Sequence, residues 1–301
     1  MTDVAAGIWR LADPKISLAS MASMFLGAAA AASDGPLAPG WLALTVVGIF
    51  CIEVAKNASG EVVDYDSGAD LAIADEDRSP FSGGKRVLVD GLLTKPQTMA
   101  VAAVSYALGI AAGLVIVILR DPHVLWLGVL GVACAYGYHA PPARLAYRGF
   151  GELAVALCYG PLICCGTYLV QRGHVSGEAV AVSLPLGLAV AGFLWINEFP
   201  DYRADLATHK RTLVVRLGRR RASQAFALLM GVVFGGLALQ PLWGVSTGVW
   251  LGALGLPPAI TASRTLLAHP ETTTLIVPAQ ARTLQAFVLL AFGAGVGLML
   301  F

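Results

Sequence analysis

Asn197, Asp201 and Asp205 recur at intervals of four in the stretch NEFPDYRADLATHKRT, and a Lys210–Arg211 pair follows them. On a helix, steps of four turn by about 400° and rise about 6 Å, so the three side chains form a slowly drifting stripe. Oxygen donors stacked this way suit a hard divalent ion. Mg²⁺ in particular is held by one or two carboxylates together with the phosphates of a substrate. Lys210 and Arg211 would supply donors to phosphate oxygens. Pro200 lies inside the stripe and is expected to kink the helix or open its end. A second cluster reads KNASGEVVDYDSGAD, with Asn57, Glu61 and Asp64 at i, i+4 and i+7, again one helical face. Ser67-Gly68 marks a break before Asp70. Further on, SPFSGGKRVLVDGLLT brings a Gly-Gly turn and a second basic pair, Lys85 and Arg86.

The elements that must position these residues are apolar. The chain has 301 residues, 57% hydrophobic and 13% charged, with a mean hydropathy of +0.72. Soluble globules carry about 25% charged residues. Apolar runs of about twenty residues, each able to cross ~30 Å of hydrocarbon, recur along most of the length. The composition therefore predicts an all-α polytopic membrane protein and argues against a soluble enzyme. Nine helices are expected, at about 17–33, 39–58, 97–119, 123–140, 151–170, 178–198, 221–243, 246–268 and 282–301. The N-terminus carries acids and no basic start before an apolar run, so the first helix is expected to be retained rather than cleaved as a signal. GxxxG spacings at Gly109/Gly113 and Gly293/Gly297 predict close helix packing. The five cysteines lie in apolar runs with no CxxC spacing, and the five histidines are scattered. Neither a disulfide framework nor a zinc site is indicated. A net charge of +1 points to no nucleic-acid partner.

Threading nine spans from a cytoplasmic N-terminus puts every Lys and Arg except Arg120 and Arg172 on one side. The positive-inside rule makes that side cytoplasmic. Every acid except Asp34, Asp121 and Glu178 falls there too, and topology does not explain acids. The two clusters look like an internal repeat, roughly 17–140 and 151–268, followed by a last helix, all in one domain covering 1–301. Each repeat runs from an apolar helix through spaced Asn and acids to KRVLV or KRTLVV. Both clusters would open on the same face, where carboxylates hold cations and the cations hold a diphosphate.

These stretches resemble the UbiA superfamily of intramembrane prenyltransferases over nearly the whole chain. NEFPDYRADLATHKRTLVVRLG is similar to its second aspartate-rich motif, closest to the branch that prenylates 1,4-dihydroxy-2-naphthoate for menaquinone. DYDSGAD and RVLVDGLLT resemble the first motif and its trailing loop, and YHAPPARLAYRGFGE the linker after helix 4. The resemblance implies a nine-helix bundle around a central cavity that opens to the cytoplasm and laterally to lipid. It implies Mg²⁺-dependent transfer from a polyprenyl diphosphate to an aromatic acceptor. By position, Asn57, Glu61, Asp64, Asp70, Asn197, Asp201 and Asp205 would hold metal. Lys85, Arg86, Lys210, Arg211 and Arg148 would contact the diphosphate, and Asp64, Asp201, Asp205 and Tyr138 would act in catalysis. One departure stands out. The family's Asn-Asp-x-x-Asp is here Gly60-Glu61-Val62-Val63-Asp64, so either Asn57 takes up the missing amide's work or the first metal is bound differently.

Tyr138, Trp195 and Phe199 are candidates for stabilising an allylic cation through their ring faces, or are ordinary core and interfacial aromatics. Arg144 and Arg148 could steer an acidic acceptor, or serve topology. Glu152 opens helix 5, where an acid favours the helix dipole. Arg219, Arg220 and Arg221 suit anionic headgroups. Glu53, an acid inside an apolar run, calls for a function or a cationic partner such as Lys56. Two other readings stay open: a terpene cyclase on the same scaffold, and a non-catalytic transporter.

Overall fold

The computed structural model describes residues 3–301, and the elements formed by them are helical. In chain order they are α1 (Asp3–Ala12), α2 (Pro14–Ser33), α3 (Pro39–Ser67), α4 (Lys95–Leu119), α5 (Val124–Gly137), α6 (Gly151–Leu157), α7 (Ile163–Arg172), α8 (Gly177–Ala207), α9 (Leu213–Leu217), α10 (Arg219–Leu239), α11 (Leu256–Ala268) and α12 (Thr273–Leu300). All nine expected apolar segments contain helix. Among the described residues six helices are long and apolar enough to cross a membrane, or up to seven if the bent pair α1–α2 is one span. Two expected spans fall short of that standard. α5 has only 14 residues, and the segment before α11, Thr247–Gly255, is a tighter 3₁₀ helix. The expected helix at 151–170 is a composite, with a wide π-helical turn at Cys158–Leu162 around Pro161 joining α6 to α7.

Two helices run well beyond their expected ends, and the extensions carry the chemistry. α3 continues past residue 58 to Ser67, where Gly68 at φ +81° caps it. A left-handed residue at this position favours glycine. α8 continues through Pro200 to Ala207, so the expected opening of the helix there is not seen. Asn57, Glu61 and Asp64 therefore share one unbroken helix, and Asn197, Asp201 and Asp205 share another.

α3 pairs with α4, and α12 packs against the Thr247–Gly255 segment, α2, α11 and α8. Asp34, Arg120, Asp121, Arg172 and Glu178 sit at helix ends opposite the acidic stripes. There Arg120 donates to the carbonyls of Val170 and Gln171, each at 2.8 Å. Ile118, Trp126 and Leu228 project outward from α4, α5 and α10 and are more than 70% exposed, as lipid-facing side chains are. Hydrocarbon gives apolar side chains little reason to leave it, so helices in lipid are held by close packing of small residues. Gly293 and Gly297 do this, their Cα atoms lying against the backbone of Leu251 and Gly248. Gly109 lies against Ile52 and the Gly48 carbonyl. Gly113 packs against nothing and instead lines a cavity, so only half of that GxxxG pair matches its expected role.

Gly297→Val should therefore lower stability by at least ~1–3 kcal/mol, the range for overpacking, whereas Gly113→Val should stay within ~0.5 kcal/mol of wild type. Thermal unfolding of both variants in detergent checks the contrast.

Candidate active site

The ends of α3 and α8 meet over one basic residue. The Lys210 ammonium lies 3.8 Å from Asp64 Oδ2 and 3.7 Å from Asp205 Oδ1. Burial works against its charge, yet Asp64 and Asp205 hold it protonated well above the ordinary lysine range. Asp64 is fixed from two further sides. The Tyr147 hydroxyl donates to its Oδ1 at 2.6 Å, and His139 Nε2 stands 3.5 Å from its Oδ2. Tyr147 reaches Asp64 from the 3₁₀ turn Leu145–Arg148 that precedes α6. Burial beside this carboxylate pushes the phenol up to about 12, which keeps its proton in place.

The loop after α3 folds back over both acidic helices. Gly83 and Gly84 adopt φ of +87° and +74°, a left-handed backbone that glycine takes most readily. The Gly83 N–H donates to Asp201 Oδ2 at 3.2 Å, and Gly84 leaves the room that the Asp70 carboxylate fills. One tight turn thus touches an acid from each cluster. Asp70 itself is raised to about 8, first by burial and then by Asp64 and Glu61 nearby.

Asp64, Asp70, Asn197, Asp201, Asp205, Lys210 and Lys85 all line one end of a cavity of about 880 Å³. Its walls then follow α3 from Asp64 back to Thr45, a distance of ~28 Å at 1.5 Å per residue. Beyond the acids the lining turns apolar, with Ile49, Ile52, Leu114, Val117, Val190 and Phe193. A charged mouth leading to a long apolar pocket matches a molecule with an anionic head and a hydrocarbon tail.

Three acceptor oxygens in the charged wall are buried without a hydrogen-bond donor, Asp70 Oδ2, Asn197 Oδ1 and Asp201 Oδ1, while the Glu198 carboxyl meets that of Glu152. Unpaired buried acceptors are costly unless a cation or donor completes them. No three His, Cys, Asp or Glu side chains among the described residues converge tightly enough to hold a metal alone. Scattered hard oxygens with open valences fit Mg²⁺ shared with phosphate oxygens, not a protein-only cage.

The remaining candidate residues are placed as follows. Glu61 lines the cavity, but its Oε1 accepts from Leu88 N–H at 2.9 Å. Asn57 lines it with its amide nitrogen tied to the Leu11 carbonyl at 2.9 Å. Lys85 pairs with Asp13 at the rim. Arg86 turns to Asp90 and the Asp70 carbonyl. Arg148 and Arg211 do not line the cavity and are exposed; only their backbones contribute, with Arg211 N–H donating to Tyr147 O at 3.1 Å. Tyr138 lines the cavity, edge-on to His139 at 4.7 Å. Trp195 and Phe199 do not, and Phe199 is wholly buried in the helix core.

Sequence reasoning missed Tyr147, His139 and Glu198. It also left Gly60 unexplained, and His139 accounts for it. A Cβ at Gly60 would meet the imidazole at 2.5 Å, so the missing side chain is what lets His139 lie against α3 beside Asp64.

Fold and site together define a polytopic membrane protein with an acidic, lysine-bridged mouth on an apolar cavity. Residues 20–284 match the profile of the UbiA prenyltransferase family, and the chain belongs to that family. It is 24% identical to the 1,4-dihydroxy-2-naphthoate octaprenyltransferase of Bacillus subtilis over 97% of this chain and 92% of that one. The protein of the same name from Mycobacterium tuberculosis is 32% identical, but over only 56% of each chain, little more than half its length. In fold it is similar to a UbiA homolog from Aeropyrum pernix K1 (TM-score 0.69, 19% identity, 92% of this chain and 97% of that one). It is also similar to a UbiA homolog from Archaeoglobus fulgidus bound to GPP and Mg²⁺ (TM-score 0.59, 15% identity, 96% and 99%).

Gly60→Ala should destabilise the protein by ~1–3 kcal/mol through this clash, and His139→Ala in the same chain should recover most of the loss. A thermal double-mutant cycle reads the coupling; additive losses would show that the imidazole does not depend on Gly60.

Proposed function

We propose that this protein transfers an isoprenoid chain from a prenyl diphosphate to a ring carbon of an aromatic acceptor, with a hydroxynaphthoate as the best-supported acceptor. The observation that carries this reading is the convergence of both acidic stripes, with Lys210 between them, on the mouth of an otherwise apolar cavity. The names of the relatives support the acceptor class, and the GPP and Mg²⁺ of the Archaeoglobus homolog support the donor. Charge sidedness supports a mouth facing the cytoplasm.

In this reading the diphosphate lies between Asp64 and Asp70 on one side and Asn197, Asp201 and Asp205 on the other. Bound there, Mg²⁺ would neutralise the diphosphate and stabilise it as it leaves. Lys210 contributes positive charge at the same place, and Lys85 stands at the rim. Tyr147 and His139 hold Asp64 in one orientation, so little reorganisation is needed as charge develops. As the C–O bond opens, the allylic carbon becomes positive and the electron pair departs with the diphosphate. The dry wall formed by Ile52, Val190 and Phe193 keeps water from capturing that carbon. Tyr138 and Phe193 present ring faces or edges on the cavity wall near the break, where ring faces stabilise cationic character. The acceptor's ring carbon then forms the new C–C bond and loses its proton. Arg86 has no part in this account because its side chain turns to Asp90 and the Asp70 carbonyl, nor have Arg148 and Arg211, which are exposed and do not line the cavity.

Purified protein with Mg²⁺ and geranyl, farnesyl or geranylgeranyl diphosphate should yield a prenylated arene with 1,4-dihydroxy-2-naphthoate, read by mass. Asp201→Ala, Lys210→Ala or EDTA should each cut the yield by at least ~10²-fold, the scale for losing a preorganised electrostatic group. A hydrocarbon or terpene alcohol formed without acceptor would favour a cyclase instead, and unchanged turnover in Asp201→Ala would refute the site.

Asp70 must lose its proton to serve a cation. Its raised value of about 8 means that acid competes with Mg²⁺ throughout the neutral range. Mg²⁺ affinity, measured with a non-hydrolysable prenyl thiodiphosphate, should rise with pH up to about 8 and then level off, by at most ~10-fold per pH unit. Asp70→Asn should flatten this rise; an unchanged slope would remove Asp70 from the metal site.

A further inference from the structure

Among the described residues none on α12 lines the cavity, but one stripe of that helix holds a segment that does. Thr273, Gln280 and Phe287 recur at intervals of seven. Seven residues turn a helix by about 700°, nearly two whole turns, and rise ~10 Å, so the three lie on one face. All three are buried. Thr273 Oγ1 donates to Asp77 Oδ1 at 2.9 Å. Gln280 Oε1 accepts from Ser79 Oγ at 2.6 Å, and its Nε2 donates to Ser82 Oγ at 3.5 Å. The Phe287 ring lies 5.5 Å from that of Phe193 on α8, and Phe193 in turn meets Phe81 edge-on at 6.0 Å. The segment from Asp77 to Gly84 is therefore tied along this stripe of α12 at successive points.

Gln280 is the polar centre of the stripe and is wholly buried in an apolar helix, where an amide is costly unless both its ends are bonded. A buried polar group on a helix can satisfy itself locally, as Thr283 does one turn on by donating to the Ala279 carbonyl at 2.9 Å. Gln280 instead commits its oxygen and its nitrogen to two serines of the segment. Ser79 Oγ also accepts from Phe81 N–H at 3.0 Å, which extends the tie toward the cavity. Ser82 immediately precedes the Gly83–Gly84 turn, and Phe81 through Lys85 line the cavity. Two successive glycines lose much conformational freedom when one geometry is imposed on them. The turn that donates to Asp201 and makes room for Asp70 thus needs to be held from outside, and Gln280 is the nearest fixed point. The tie at Asp77 is shared with Arg203 at 3.7 Å, but that guanidinium is 63% exposed and such a pair adds little.

We infer that Gln280 is a positioning residue for the head-group site: by holding Ser79 and Ser82 it fixes the Gly83–Gly84 turn on Asp201 and beside Asp70, and so sets the affinity for a metal-bound diphosphate without touching it. The inference rests on the transfer reading above and deepens it. With the turn held, Asp201 keeps one oxygen on the Gly83 N–H and the other open toward the cation. With the turn released, Asp201 and Asp70 lose the backbone that orders them, and the cation must order them itself at a cost in affinity. The acceptor, which does not meet this turn, is unaffected.

The test compares wild type with Gln280→Met, Ser79→Ala, the double variant and Thr283→Val, each purified in detergent. Thr283→Val removes an equally buried polar group of α12 that has no tie to the segment, and so controls for general damage to the helix. Calorimetry with prenyl thiodiphosphate and Mg²⁺ should show ~10-fold weaker binding in Gln280→Met and ~3–10-fold in Ser79→Ala, the scale of one or two hydrogen bonds. The double variant should bind no more weakly than Gln280→Met, because the two side chains act as one unit. Thr283→Val should bind as wild type does. Amide exchange over residues 79–85 should quicken in the first three variants only, and Ser79→Ala, which lies outside the membrane helix, carries the test if Gln280→Met does not fold. Unchanged thiodiphosphate binding in Gln280→Met or Ser79→Ala, an equal loss in Thr283→Val, or fully additive losses would overturn the inference. Turnover separates it from the broader reading. Prenylated arene formed by Gln280→Met with an unaltered KM for the diphosphate defeats the role of Gln280 alone. Gln280-dependent thiodiphosphate binding with no prenylated arene in any tube defeats the transfer reading alone.

Discussion

The site depends on one buried ammonium shared by two carboxylates from different helices. Lys210 stands within 4 Å of Asp64 on α3 and Asp205 on α8. Desolvating any one of these charges costs several kcal/mol, and the attraction among them offsets that cost only when the geometry holds. The surrounding structure provides it. Tyr147 fixes Asp64, the Gly83–Gly84 turn fixes Asp201 and leaves room for Asp70, and Gly60 leaves room for His139. Even so, the acids outnumber the cations. Asp70, Asn197 and Asp201 each keep an oxygen without a donor. A site left electrostatically incomplete in this way is suited to what would complete it, and in the function proposed above that is a divalent cation carried with a diphosphate.

The apolar part of the cavity serves the same purpose from the other side. The charged lining on α3 stops at Glu53, and Ile52, Ile49 and Gly48 continue toward Thr45. In the function proposed above, a head group held at the charged mouth would direct its hydrocarbon tail along this apolar wall. Gly109 and Gly113 divide the labour on α4. The first brings α4 against α3, and the second keeps the cavity open.

Much of this was legible in the sequence, for a specific reason. A helix has a fixed period, so Asn197, Asp201 and Asp205 could be put on one stripe without any coordinates. The same arithmetic, carried further, excludes Trp195 and Phe199. Each is two residues, about 200°, from Asn197 and so faces away from the stripe. The linkers have no period, and there the reading failed. Arg211, half of the Lys-Arg pair, and Arg148, taken from the linker's resemblance, looked like site residues, but their side chains are exposed and do not line the cavity. Tyr147 and His139 gave no signal, since only the path of the linker after α5 brings them to Asp64. Gly60 read as a lost ligand, whereas in three dimensions it is the space occupied by a residue 79 positions away. The full lengths of α3 and α8 were also hidden, because their polar last turns look like loops on a hydropathy scale.

The central claim is that the two acidic helices grip one diphosphate through metal. Anomalous diffraction from crystals grown with Mn²⁺ and a prenyl thiodiphosphate tests it most directly. The account predicts metal density on both sides of the diphosphate, one position beside Asp64 and Asp70 and the other beside Asn197, Asp201 and Asp205, with the tail running toward Ile49. Metal at one helix only, or a diphosphate bound away from Lys210, would contradict it.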